Sequence, residues 1–279
     1  MKTLFLTKSP NTTNILPFAL GAGLWLVTTL SAPAAFTLVD DLEALSIGPI
    51  GGQGGWVAVG SAAQQTSQVV TNDPLNINNK VMRQLGTGAA FLYNSGGPLN
   101  IPEGASGTFF LRFYTDSASN DEVFGLTDVT TPNATVGNFG DFEAQSGVLN
   151  NALRVRDAGS NQSVSSALDV GVWYNLWMVI DNSSDTWQLY IQSDNDADFL
   201  TQTQFSSTDG TINFRNGVAS NPLLSFEVRN SNQGATSVYY DDLYIDATGA
   251  NLANPTVPEP ASTTILALGG LALLFRRRK

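Results

Sequence analysis

A chain of 279 residues with 13 basic and 24 acidic side chains carries a formal net charge of −11, and it contains neither cysteine nor histidine. Disulfides, thiolate metal sites, a Ser-His-Asp triad and imidazole-bound zinc are therefore excluded. Only 13% of residues are charged, while Gly, Asn, Ser and Thr abound, a balance that favours strands and turns over helices.

The N-terminus carries Lys2 and Lys8, then an apolar stretch from Ile15 to Leu30, then Ala32 and Ala34 in an A-x-A arrangement. Basic region, apolar region and small-residue cleavage site are the order of a secretory signal peptide, so residues 1–34 are expected to be a leader with a helical apolar core. The apolar run is short for a retained membrane span.

Residues 35–249 read as one domain without an internal repeat. Period-2 alternation predicts strands at Gly107 to Thr115, Val123 to Val129, Asn151 to Asp157, Ser225 to Asn230 and Ser237 to Asp246. The clearest signal is a hairpin. Tyr174, Leu176, Met178 and Ile180 alternate on one face, Asp181 to Asp185 supply turn chemistry, and Trp187, Leu189 and Ile191 alternate on the return. Many short strands joined by Gly, Asn and Ser turns predict an all-β sandwich or barrel. The hairpin, with the opening FTLVDDLEALSIGPIGGQGGW and the closing VYYDDLYID, resembles the concanavalin A-like, laminin-G-like jelly roll. That resemblance implies an antiparallel jelly-roll β-sandwich whose first and last strands pair.

Several residue groups could carry chemistry. Asp194, Asp196 and Asp198 fall at alternate positions in SDNDADF, a spacing that can converge oxygen ligands on Ca²⁺. The EF-hand pattern fails there, because Phe205 stands where a bidentate Glu is needed, and solvated turn residues are the plainer reading. The jelly-roll resemblance adds weight to Ca²⁺. If Tyr239, Leu243 and Ile245 face the core, Asp241 turns inward with them and needs hydrogen bonds or a cation; Asp40 and Asp41 could meet it. On the hairpin, Trp173, Asn175 and Trp177 lie opposite the apolar register, as do Gln188, Tyr190 and Gln192. Rings interleaved with amides suit a sugar platform built on Trp173, Trp177 and Tyr190, unless a loop covers Trp177 and makes it core. No E-x-D-x-x-E triplet, the arrangement used by concanavalin A-like hydrolases, occurs; Asp141 and Glu143 share a strand face without a third acid. The expectation is a non-catalytic body, with a glycan hydrolase or lyase built on another acid pair as the alternative.

Residues 250–257, rich in Asn and Pro, read as a linker. Val257, Pro258, Glu259 and Pro260 then precede about 15 uncharged residues, 261–275, ended by Arg276, Arg277, Arg278 and Lys279. A helix of that length spans roughly 22 Å. The basic cluster would stay cytoplasmic and leave the body outside. This tail, residues 258–279, resembles a PEP-CTERM sorting signal. The resemblance implies transient anchoring in the inner membrane by a transmembrane helix, processing by an exosortase, and delivery to the cell surface or an extracellular polysaccharide matrix. Without leader and tail the body keeps 7 basic and 23 acidic residues, a net of −16. Such a surface repels nucleic acid and anionic lipid.

Overall fold

The computed structural model describes residues 35–93, 96–195, 203–205, 210–218, 220–230 and 238–257. The expected leader at 1–34, and the tail from Pro258 onward with its apolar segment 261–275, lie outside the described residues. Among the described residues, no helix is long and apolar enough to cross a membrane. In chain order the strands are β1 (Thr37–Asp40), β2 (Gly48–Pro49), β3 (Trp56–Val59), β4 (Gln68–Asn72), β5 (Lys80–Gln84) and β6 (Gly88–Tyr93). Then come β7 (Ser106–Thr115), β8 (Asp121–Thr127), β9 (Phe142–Leu149), β10 (Ala152–Asp157), β11 (Ser160–Ala167) and β12 (Trp173–Asp181). The last are β13 (Thr186–Ser193), β14 (Thr203–Phe205), β15 (Ile212–Asn213), β16 (Ser225–Asn230) and β17 (Val238–Asp246).

These strands form two antiparallel sheets. The first runs β14-β13-β12-β7-β17-β5-β4-β2, with β1 on β17 and β15 on β13. The second runs β11-β10-β9-β8-β16-β6-β3. The chain changes sheet on either side of β3, on either side of β6, between β7 and β8, between β11 and β12, and again on either side of β16. The result is an all-β antiparallel sandwich in which the opening strand pairs with the closing one, Thr37 opposite Ile245.

Alternation decides what each strand buries. Phe109, Leu111 and Phe113 on β7 and Leu176, Met178 and Ile180 on β12 are wholly buried and face the second sheet. The rings of Phe109 and Phe226 lie 5.2 Å apart and those of Phe113 and Phe124 6.0 Å apart, so aromatic contacts join the two layers. Each fully buried large apolar side chain contributes about 1.5–3 kcal/mol. The β12–β13 turn is held by Asp181, whose Oδ1 accepts from both the N–H and the hydroxyl of Ser183, and by Asp185 at φ 55°. Asn182 ties this turn to the body by donating to the carbonyls of Ile101 and Asn221.

One irregularity changes the sequence reading of the last strand. The pairing of β17 with β7 shifts register between Asp241 and Tyr244, and Asp242 sits at φ 54°. The extra residue of this bulge reverses the side-chain parity. Tyr240, Leu243 and Ile245 face the core. Tyr239 and Asp241 therefore point away from it, against the expectation that they would share a face with Leu243.

The far face of the second sheet is closed by the loop between β8 and β9. Arg229, with no exposed surface, donates through Nη1 to the Thr135 carbonyl at 2.8 Å and through Nη2 to the Asn133 carbonyl at 3.3 Å. It also pairs with Glu227 and, at 3.3 Å, with Asp141. One guanidinium thus pins the loop onto the sheet.

Candidate functional site

The far face of the first sheet gathers most of the residues singled out in the sequence. Two irregular segments lie over it. The loop between β4 and β5 reaches across from one side: Asp73 accepts from the Trp173 indole at 3.3 Å, and Asn79 donates to Asp241 Oδ2 at 2.8 Å. From the other side comes the chain after β17, read from composition as a linker. It is instead docked. Thr108 Oγ1 donates to the Gly249 carbonyl and accepts from the Asn251 N–H, both at 2.9 Å. The Trp177 indole donates to the Ala253 carbonyl at 2.9 Å. Proline and asparagine exclude helix and sheet here, but they permit an irregular strap whose backbone groups are satisfied by side chains of the sheet.

Trp177 is accordingly buried completely, with its ring 5.2 Å from that of Phe110. It belongs to the packing beneath the strap and has no free face. Trp173 is also buried, between Tyr114 and the guanidinium of Arg112, which lies 4.9 Å from its ring centre. Tyr190 is half-buried and donates to Gln188 at 3.1 Å. The three residues expected to form one sugar platform are therefore not one surface. Replacing Trp177 by Ala is expected to lower stability by about 3–5 kcal/mol, and Trp177→Phe by about 1 kcal/mol, because Phe keeps most of the packing and loses only the hydrogen bond. Urea unfolding midpoints would measure both, and an Ala variant as stable as wild type would refute this packing.

Between the two covering segments lies a cleft of about 540 Å³ walled by Arg112, Asp194, Asp242, Tyr244 and residues 254–257. Arg112 is its centre. Its guanidinium pairs with Asp194 and, at 3.4 Å, with Asp242. Asp194 also accepts from Asn175 at 2.9 Å. Arg112 Nε and Asn175 Oδ1, both buried, have no partner among the described residues. Burial pushes the Asp242 carboxyl up while Arg112 draws it down. Asp241, behind it, is pushed well up by burial and by the neighbouring Asp242 charge. Both of its oxygens are taken, by Asn79 and by the Asp242 N–H.

These contacts bear on the expected Ca²⁺ site. Asp196 and Asp198 lie outside the described residues. Asp194 and Asp241 are committed to protein donors and to different neighbours. Among the described residues, no group of three or more carboxylates is arranged to hold a metal ion. The described carboxylates do not fit the ion. Asp40 does not meet Asp241 either, since it accepts from the Trp56 indole at 2.7 Å and the Leu42 N–H at 2.8 Å.

Sequence reasoning missed Arg112. Its signal was its place in GTFFLRFYT, a lone cation at an outward position of an otherwise apolar strand. It named Glu143 only beside Asp141, as an incomplete acid set, and it missed Glu227. Glu143 stands on β9 at a register shift, and Glu227 stands on β16 opposite Gly125 of β8, where a Cβ would come 2.0 Å from the Ala144 carbonyl. Burial raises Glu143 to about 7 against the hydrogen bond from Asn216, and raises Glu227 to about 7 against the attraction of Arg229.

Residues 256–279 match the family model of the PEP-CTERM protein-sorting motif. No curated protein matches the chain in sequence. Among solved structures, the catalytic domain of the glycoside hydrolase family 131 protein from Coprinopsis cinerea superposes with a TM-score of 0.53 at 9% identity, covering 82% of this chain and 100% of that one. A GH131 β-glucanase catalytic domain from Podospora anserina follows at TM-score 0.48 and 10% identity, covering 78% and 98%. The metal-free lectin I-B4 from Griffonia simplicifolia gives 0.42 at 9% identity, covering 70% and 94%. The body is an all-β antiparallel sandwich, a fold it shares with the family 131 catalytic domain. The chain that contains it carries a PEP-CTERM sorting signal at its C-terminus, the mark of an exported protein.

Proposed function

We propose that the chain is a non-catalytic body, exported to the cell surface or the extracellular matrix, that associates with extracellular polysaccharide through the cleft around Arg112. An exosortase-type enzyme is its processing partner, acting on the C-terminal signal after transient anchoring in the inner membrane. The observation that carries the binding reading is the cleft itself. It places a guanidinium, two carboxylates and a tyrosine ring around an open space of about 540 Å³. Sugars offer hydroxyls that both donate and accept, and apolar ring faces that lie against aromatic side chains. Hydrolysis would need one protonated acid and one free carboxylate facing each other, whereas Asp194 and Asp242 are both tied to the same Arg112.

The test is retardation of the full chain, in detergent, in native gels that contain soluble matrix polysaccharide. Tyr244→Ala and Arg112→Ala are expected to weaken retardation at least about fivefold, the loss of roughly 1 kcal/mol. Equal retardation of wild type and both variants would refute the assignment of the cleft.

A second reading, hydrolysis or elimination on a glycan, is favoured by one observation. Glu143 and Glu227 are both buried acids of the second sheet, and each has one carboxylate oxygen without a partner among the described residues. Release of reducing ends from a panel of polysaccharides, abolished by Glu143→Gln, would support it; no release by the wild type would end it.

A further inference from the structure

We infer that the strap face lies against the bilayer while the sorting signal is inserted, and that processing is what opens the Arg112 cleft to polysaccharide. Regulation of the cleft in this way rests on the function proposed above, in which the cleft binds polysaccharide and residues 261–275 anchor the chain before an exosortase acts.

A free linker over residues 250–257 would hold the body clear of the membrane. Docking of the strap removes that slack. Thr108 fixes Gly249 and Asn251, Trp177 fixes Ala253, and the Asn251 amide also donates to Asp246 at 2.8 Å. A last turn closes where the Thr256 N–H donates to Asn254 Oδ1 at 3.0 Å and the Val257 N–H to the Asn254 carbonyl at 3.2 Å. The body therefore extends to Val257, and Pro258, Glu259 and Pro260 are all that separates it from the apolar segment. Four residue steps span at most about 14 Å. A helix of residues 261–275 is roughly 8 Å shorter than a hydrocarbon core, a mismatch that draws those steps into the headgroup layer.

The end of the strap is also a wall of the cleft, since Val257 lines it together with Arg112 and Tyr244. Apolar side chains face water around this opening. Val257 is 39% exposed, and Leu38, paired with Tyr244 across β1 and β17, is 41% exposed. The β4–β5 loop, which reaches over the same sheet face, exposes Leu75 at 63% and Ile77 at 75%. Exposed apolar side chains grouped around a polar opening suit the boundary between headgroups and acyl chains. The body's net charge of −16 gives it no attraction of its own to anionic lipid. The anchor, not affinity, holds this face down, and a body cut loose from the anchor is driven away. With headgroups so close to its wall, the anchored cleft has no room for a polysaccharide chain, and release restores that room.

Because the chain has no cysteine, each introduced thiol is unique and can carry a fluorophore. The exported chain, made in a host without the processing enzyme and placed in phosphatidylcholine nanodiscs, is labelled at Leu38→Cys, Ile77→Cys or Ser160→Cys. Ser160 is exposed on β11, in the second sheet. Lipid with a nitroxide on its headgroup is expected to quench the labels at 38 and 77 and to leave the label at 160 bright. Insertion of about 20 Gly and Ser residues between Val257 and Pro258, with a mean span of roughly 25 Å, is expected to abolish that contrast. The discs are expected to bind soluble matrix polysaccharide at least about tenfold more weakly than the same chain in detergent, a difference of roughly 1.4 kcal/mol. The insertion should restore the binding. Equal quenching at 38 and 160, a contrast unchanged by the insertion, or equal binding in discs and in detergent would each overturn the inference. A chain that binds no polysaccharide even in detergent would refute the binding role of the cleft and with it this regulation. Quenching needs no polysaccharide, so it still decides whether the strap face meets the bilayer.

Discussion

Lowering the pH from 8 to about 5.5 is expected to raise the melting temperature of this protein, on the order of 5 °C. Glu143 and Glu227 are both raised to about 7 by burial. Glu122, enclosed in the core beside Asn230 and Tyr240, is raised well above the ordinary range for the same reason. In the unfolded chain all three return to about 4.3. Between that value and about 7 the folded protein holds protons that the unfolded chain has released, so stability falls as pH rises. The contribution is complete below the unfolded value and is lost as pH climbs through 7. A loss of a few kcal/mol corresponds to several degrees in a body of this size. Relief of repulsion among the acids of a body with net charge −16 has the same sign, so a control is needed. Glu143→Gln and Glu227→Gln should flatten the pH profile, whereas Glu103→Gln, the same charge change at an exposed position, should not. A melting temperature constant or rising from pH 5.5 to 8 would show that these carboxyls are not desolvated as described.

Arg229→Ala is expected to be the costliest single change on the second sheet, about 3–5 kcal/mol at pH 8. It leaves Glu227 buried without its counter-charge and releases the Thr135 and Asn133 carbonyls that hold the β8–β9 loop. The cost should shrink at pH 5.5, because Glu227 is protonated there and no longer needs a cation. The double change Arg229→Met with Glu227→Leu, which removes both charges and keeps the volume, should recover most of the stability. Chemical denaturation at the two pH values separates these outcomes. A cost identical at pH 5.5 and 8 would mean that Glu227 stays ionised throughout and that the loop contacts alone account for the loss.

The two faces of the sandwich differ in how far they can be read from residues alone. The hairpin of β12 and β13 was legible because its apolar positions repeat every second residue and its turn residues stand where the pattern breaks. The pairing of the first strand with the last was legible only through resemblance, since nothing in either strand names its partner. Trp177 had the correct outward register and the wrong environment. Alternation tells which side of a strand a residue occupies, and it cannot tell that an Asn- and Pro-rich strap from residues 249–257 will lie on that side. Asp241 shows the opposite failure. Its register was misjudged because one extra residue at a bulge inverts every later side chain, and Asp242 carries no unusual composition to announce a positive φ.

By itself the sequence determined the class of elements, the positions of seven of the strands, the lack of sulfur and imidazole chemistry, and the sorting motif at residues 256–279. All of these depend on local order along the chain or on composition. Only the tertiary structure decided which aromatic rings are closed off, which carboxylates are buried in the second sheet, and where a cleft remains open beside the strap. Those properties are set by loops that cross a sheet face from far away in sequence. A charge or a ring acquires its function there from the water such a crossing removes.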